Sequence, residues 1–248
     1  MRKLIRADVR RILKKRSVIL FFLGMFLYLC INLAAKHALY PEPVVGVKEM
    51  IEKLNTFSIV MGIVIFFAVY ADDFKSSCFV MAIGRGISRT RVIISKLLDV
   101  TLVLGVMYLI MTLFATLEFL ALGMQFDDTL ASAWFGSAFI SLYKSVGYIS
   151  LASMILYITN NVPLGIISLV TLYVLVPNSA ILFSLNDSIS RLHVERLHYA
   201  GLADSALADF LFGSVGSAVI KLILGFVIYF GGVLIVTTSL FEKKELDF

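Results

Sequence analysis

The stretch VTLVLGVMYLIMTLFATLEFLAL, residues 100–122, carries one ionisable side chain, Glu118, in 23 positions. At about 1.5 Å of rise per residue, a helix of this length crosses the roughly 30 Å of hydrocarbon in a bilayer. The run does not alternate in polarity, so it does not read as a strand of a transmembrane barrel. Peptide groups in lipid need partners within their own segment, and a helix supplies them.

Similar runs lie on either side, at 17–35, 56–71, 135–158, 162–185 and 219–240. Composition agrees, since 60% of the residues are hydrophobic and only 16% are charged, where a soluble domain carries about 25% charged residues. The sequence therefore predicts an all-α polytopic membrane protein of six transmembrane helices, folded as a single transmembrane domain over 1–248. The net charge of +5 does not indicate nucleic acid, because the basic residues flank the apolar runs, where lipid headgroups and insertion topology account for them.

Residues 1–16 hold eight Lys or Arg, while Leu4, Ile5, Val9, Ile12 and Leu13 fall on one side of a helix. This is the pattern of an amphipathic interface helix lying on the inner membrane surface. The run that follows lacks a small-residue cleavage site and reads as a retained first span rather than a signal peptide. With the N-terminus inside, the inner segments carry fifteen Lys or Arg and the outer ones five. That bias places both termini in the cytoplasm of a multi-pass protein of the cell membrane.

Between the fifth and last runs, an apolar, Gly-spaced stretch from Ala206 to Gly216 is too short to cross and reads as a short re-entrant outer helix before the last span. Cys30 lies within a span and Cys78 in a polar segment, so no disulfide between them is expected. His193 and His198 are five apart, which on a helix turns them about 140° from each other, too far round for a shared metal. No Gly is followed by Lys, so the Gly-Lys-Ser/Thr loop that cradles nucleotide phosphates is missing and no nucleotide cofactor is expected in this chain.

Two ionisable residues, Glu118 and Lys144, interrupt apolar runs. Each is costly alone in hydrocarbon, so the expectation is that they lie at similar depth on neighbouring helices as an ion pair or share a wet cavity.

The segment 72–99 is polar, basic and inside by charge count. It contains Asp72-Asp73-Phe74-Lys75, then Ala82-Ile83-Gly84-Arg85-Gly86-Ile87-Ser88-Arg89, then Ile93-Ile94-Ser95-Lys96-Leu97-Leu98. This pattern resembles the cytoplasmic stretch between the second and third spans of type-2 ABC transporter permeases, and the order of amphipathic helix, six spans and re-entrant segment is similar as well. The resemblance implies an exporter subunit for peptides, antibiotics or other amphipathic compounds. It would pair with a second permease, identical or paralogous, and dock two ABC ATP-binding subunits that hold ATP and Mg2+. It also implies that 72–99 is the coupling segment. Asp72, Asp73, Phe74, Lys75, Phe79, Met81, Arg85, Arg89 and Lys96 would then contact the ATPase, or in part lipid headgroups. Two other classes fit the same spans: a secondary transporter, and a membrane sensor or assembly subunit that transports nothing.

Overall fold

The structure is a computed structural model that describes residues 2–75, 81, 83–84, 86–184 and 198–242, and all regular elements among them are helical. In chain order they are α1 (Arg2–Leu13), α2 (Arg16–Leu39), α3 (Pro43–Phe66), a π-helical turn (Phe67–Ala71) and α4 (Asp72–Lys75). Then come α5 (Arg89–Ala121), α6 (Asp128–Thr159), α7 (Val162–Ser184), α8 (Tyr199–Leu211), α9 (Val215–Gly225), a second π-helical turn (Phe226–Gly231) and α10 (Gly232–Glu242).

Among the described residues, five helices are long and apolar enough to cross a membrane: α2, α3 with its π turn, α5, α6, and the α9–α10 unit over Val215–Leu240. Their outward surface is what a lipid-facing wall requires. Leu20, Ile31, Leu109, Leu117, Ile223 and Ile235 are all large, apolar and exposed, a load of apolar surface that water would not tolerate on a monomer. The chain is thus an all-helical membrane protein.

Helix boundaries differ from expectation at three places, each for a local reason. The polar stretch expected as a connection before residue 56 is mostly helix, because α3 begins at Pro43, whose fixed φ suits a first helical position. Its charges are absorbed by pairing: buried Glu49 forms an ion pair with Lys53 at 3.0 Å, one turn on, and lies 3.9 Å from Lys36 of α2. Helix α5 starts at Arg89, about three turns before the apolar run, since Lys96 and Asp99 find partners there. Helix α6 starts at Asp128, where the Asp127 carboxylate caps it by accepting from the Leu130 amide at 2.6 Å.

The faces follow from the turns. Asn160, in the left-handed region at φ 53°, joins α6 to α7 at the same face as α1 and α4. Phe74 beside Tyr157, with ring centroids 5.5 Å apart, fixes that proximity. The opposite face carries residues 40–42, 122–127 and 212–214.

Helix α6 is the axis of the bundle. Ser137, Ser141, Ser145, Ser150 and Ser153 are buried along it, and such small residues let neighbouring backbones approach where no hydrophobic force drives helices together. Each of Ser145, Ser150 and Ser153 returns its hydroxyl hydrogen to a carbonyl of the preceding turn. Near the opposite face, Trp134 is fully buried and its indole Nε1 donates to Thr116 Oγ1 of α5 at 2.9 Å. Helix α8 lies along α6 and runs antiparallel to it: Tyr199 packs on Gly147, and Leu207 and Phe210 pack on Gly136. At 13 residues it extends about 20 Å, too little to cross.

Candidate functional site

At the α1 face, a buried charge network is centred on Lys96. Its ammonium lies 2.5 Å from Asp73 of α4, 2.7 Å from Asp8 of α1 and 3.8 Å from Asp99, one turn on in α5. Arg11 adds a second bridge from α1, donating to Asp73 at 3.1 Å and lying 3.6 Å from Asp8. Asp99 is 0%, Asp73 6% and Lys96 8% exposed, so these charges hold one another rather than water. Below them Ile12 is buried with Val9 and Leu13 packed against the core, the apolar side of α1 seated as the periodicity of the sequence requires.

This corrects the expectation for two docking residues. Asp73 and Lys96 bind each other inside the chain, because a buried ammonium needs carboxylates at contact distance and the turn after α3 delivers one. Phe74 is half-buried on Tyr157, Arg89 is half-buried, and Met81 is 53% exposed. Asp72 and Lys75 have only their backbone described, in α4; Phe79 and Arg85 lie outside the described residues.

The second site opens midway along the bundle. A cavity of about 640 Å³ lies between α3, α6, α8 and α9, lined by Asn55, Ser58, Ser141, Lys144, Tyr148 and Asp204 among others. Lys144 of α6 forms an ion pair with Asp204 of α8, and Lys221 of α9 pairs with Asp209 of α8 at 2.7 Å. Tyr108 of α5 backs the wall, donating to Ser58 at 2.5 Å and lying 2.7 Å from Ser145. Ser141 reaches Asn55 at 3.5 Å. The site has two full charge pairs, several hydroxyls and an amide at a depth where hydrocarbon would otherwise lie.

The pairing expected between Glu118 and Lys144 does not form. Glu118 is one turn from the end of α5 and Lys144 sixteen residues into α6, so with a short connection between the helices they differ in depth by roughly 20 Å. Lys144 takes Asp204 instead, and the Glu118 carboxyl faces the Cys30 thiol of α2. Asp204, Asp209 and Lys221 were not singled out in the sequence, nor were Asp8 and Asp99. Asp8 did carry a signal, since it stands in the row Leu4, Asp8, Ile12 on the apolar side of α1, where an isolated carboxylate needs a buried cation.

On α8, which is too short to span, the Asp209 carboxyl is held below its ordinary range by the Lys221 ammonium, with the Ser217 hydroxyl second. Burial pushes the Tyr199 phenol up; its hydroxyl donates to the Tyr143 carbonyl at 2.7 Å.

No protein-family model, curated protein or solved structure matches this chain.

Proposed function

We propose that this chain is the transmembrane permease subunit of an ABC transporter, exporting peptides, antibiotics or other amphipathic compounds by ATP hydrolysis on a separate nucleotide-binding subunit. The observation that carries the reading is the Lys96 network. It binds α1, α4 and α5 into one block at a single face, and α3 and α5 lead from that block to the cavity wall at Ser58 and Tyr108. A motor protein pulling on the block would move the cavity wall, because packed helices transmit displacement as rigid bodies.

On this reading the α1 face is cytoplasmic, both termini lie inside the cell membrane, and α7 joins the five long helices as a sixth span. Helix α8 is the re-entrant outer helix. The surface around Met81 and Phe74, with Arg89, receives the ATP-binding subunit, two copies of which hold ATP and Mg2+. A second permease chain, the same or a paralogue, completes the assembly. This chain itself hydrolyses nothing, having no phosphate-cradling loop.

The test is purification of the tagged chain from its native membrane in mild detergent. A Walker-motif ATPase should accompany it, with Mg2+-dependent hydrolysis that disappears when the chain is isolated alone. Absence of any such ATPase, together with substrate movement by the lone chain in proteoliposomes, overturns the reading.

One observation favours the secondary transporter instead: the Lys144–Asp204 pair borders a polar cavity midway through the bundle, where ion-coupled carriers keep their ionisable groups. Dependence of lone-chain transport on an ion gradient would select it.

A further inference from the structure

We infer that the mid-bundle cavity binds a small zwitterion whose cationic and anionic groups are separated by roughly the span of its two ion pairs. The inference rests on the transporter reading for its meaning and names the substrate class of that site, but binding itself is measurable on this chain alone.

Charge balance is the first argument. The cavity presents Lys144 with Asp204 and Lys221 with Asp209, two cations against two anions, so a ligand of single sign would meet as much repulsion as attraction. Neither pair is used up. The Asp204 side chain is 60% exposed, and its carboxylate has room for further donors; Lys221 and Lys144 each have three ammonium hydrogens and keep some exposure. A ligand ammonium on Asp204 and a ligand carboxylate on Lys221 would add to the pairs without breaking them.

Spacing is the second. Asp204 and Asp209 are five residues apart on α8, a rise of about 7.5 Å. Lys221 is held at Asp209, and the same five-residue step turns the two carboxylates about 140° from each other, so a ligand bridging Asp204 and Lys221 needs its own charges on the order of 8 Å apart or more. An α-amino acid is too short for both contacts.

The third argument is an unspent donor. Tyr148 lines the cavity at 3% exposure, and its hydroxyl has no hydrogen-bond partner among the described residues. A phenol buried without a partner costs free energy that a ligand acceptor would recover. Tyr173 stands edge-on to it, centroids 4.8 Å apart, and also lines the cavity.

A molecular ruler tests this. The full chain in nanodiscs of zwitterionic lipid is equilibrated with radiolabelled 6-aminohexanoate, and glycine, 8-aminooctanoate, hexylamine and hexanoate compete. The expected result is that the two longer ω-amino acids bind at least about tenfold more tightly than glycine or either single-charge analogue. Asp204→Asn and Lys221→Gln should each weaken binding about tenfold, and Tyr148→Phe severalfold. Equal competition by hexylamine or hexanoate, no saturable binding, or variants that insert normally and bind like the parent would overturn it. If the charge variants do not insert, Tyr148→Phe decides: unchanged binding refutes the inference. None of these failures touches the ATPase association, which is read separately by co-purification.

Discussion

The Lys96 ammonium of α5 rests 2.5 Å from the Asp73 carboxylate of α4, with Asp8 of α1 2.7 Å away on another side. One cation therefore joins three helices and, with the Arg11–Asp73 bridge, holds the amphipathic N-terminal helix by charge. Replacing it with an apolar side chain of similar length, Lys96→Met, leaves Asp99 buried without its cation and Asp73 with Arg11 alone. The expected loss is about 3–5 kcal/mol, read as a lower melting temperature in detergent. Asp73→Asn in the Lys96→Met background should recover part of it; a parent-like melt of Lys96→Met alone would show that the network contributes nothing.

Gly147 accepts the Tyr199 ring where a Cβ would sit. Gly147→Ala should push α8 off α6 and cost about 1–3 kcal/mol. Because Tyr199 is what the methyl meets, Tyr199→Ala should cost less in the Gly147→Ala background than alone, and a thermodynamic cycle of melts checks this coupling.

The hairpin of α8 and α9 is expected to loosen in acid. The Asp209 carboxyl is depressed below its ordinary value by Lys221 and then Ser217. Its folded form thus gains stability that is fully present above the ordinary carboxylate value of 3.8 and fades as pH falls through the lowered one. Amide exchange in 199–225, corrected for intrinsic rates, should rise below about pH 4. In Lys221→Met the acid-dependent part should shrink to the share that Ser217 supplies.

On the permease reading, Met81 is the anchor left facing outward. Met81→Asp should insert and melt like the parent, being exposed, yet reduce stimulation of the partner ATPase severalfold, as loss of an apolar interface anchor does. Unchanged stimulation in reconstituted vesicles would remove this surface from the docking assignment.

Long apolar runs such as 100–122 were legible because hydropathy in lipid is a one-dimensional property, and α5 covers all of that run but its last residue. The amphipathic α1 was legible for the same reason, through Val9, Ile12 and Leu13. Helix starts were not, because Pro43 and Arg89 open helices whose polar turns persist only through Lys53–Glu49 and Lys96–Asp73, pairings that depend on the folded chain. The cavity was hidden more deeply. Lys144 stood out, but its partner Asp204 lies 60 positions away on a helix whose antiparallel seat against α6 is set by Gly136 and Gly147 meeting Leu207 and Tyr199, a matter of shape and not of pattern.

Trp134 is the single tryptophan of the chain, and its indole is tied to Thr116 across the α5–α6 seam. The protein therefore carries its own fluorophore at one known joint. Emission should be blue-shifted and shielded from acrylamide while the seam is closed, and any working cycle that parts α5 from α6 will redden it and admit the quencher. The motion can be watched in real time without attaching a dye.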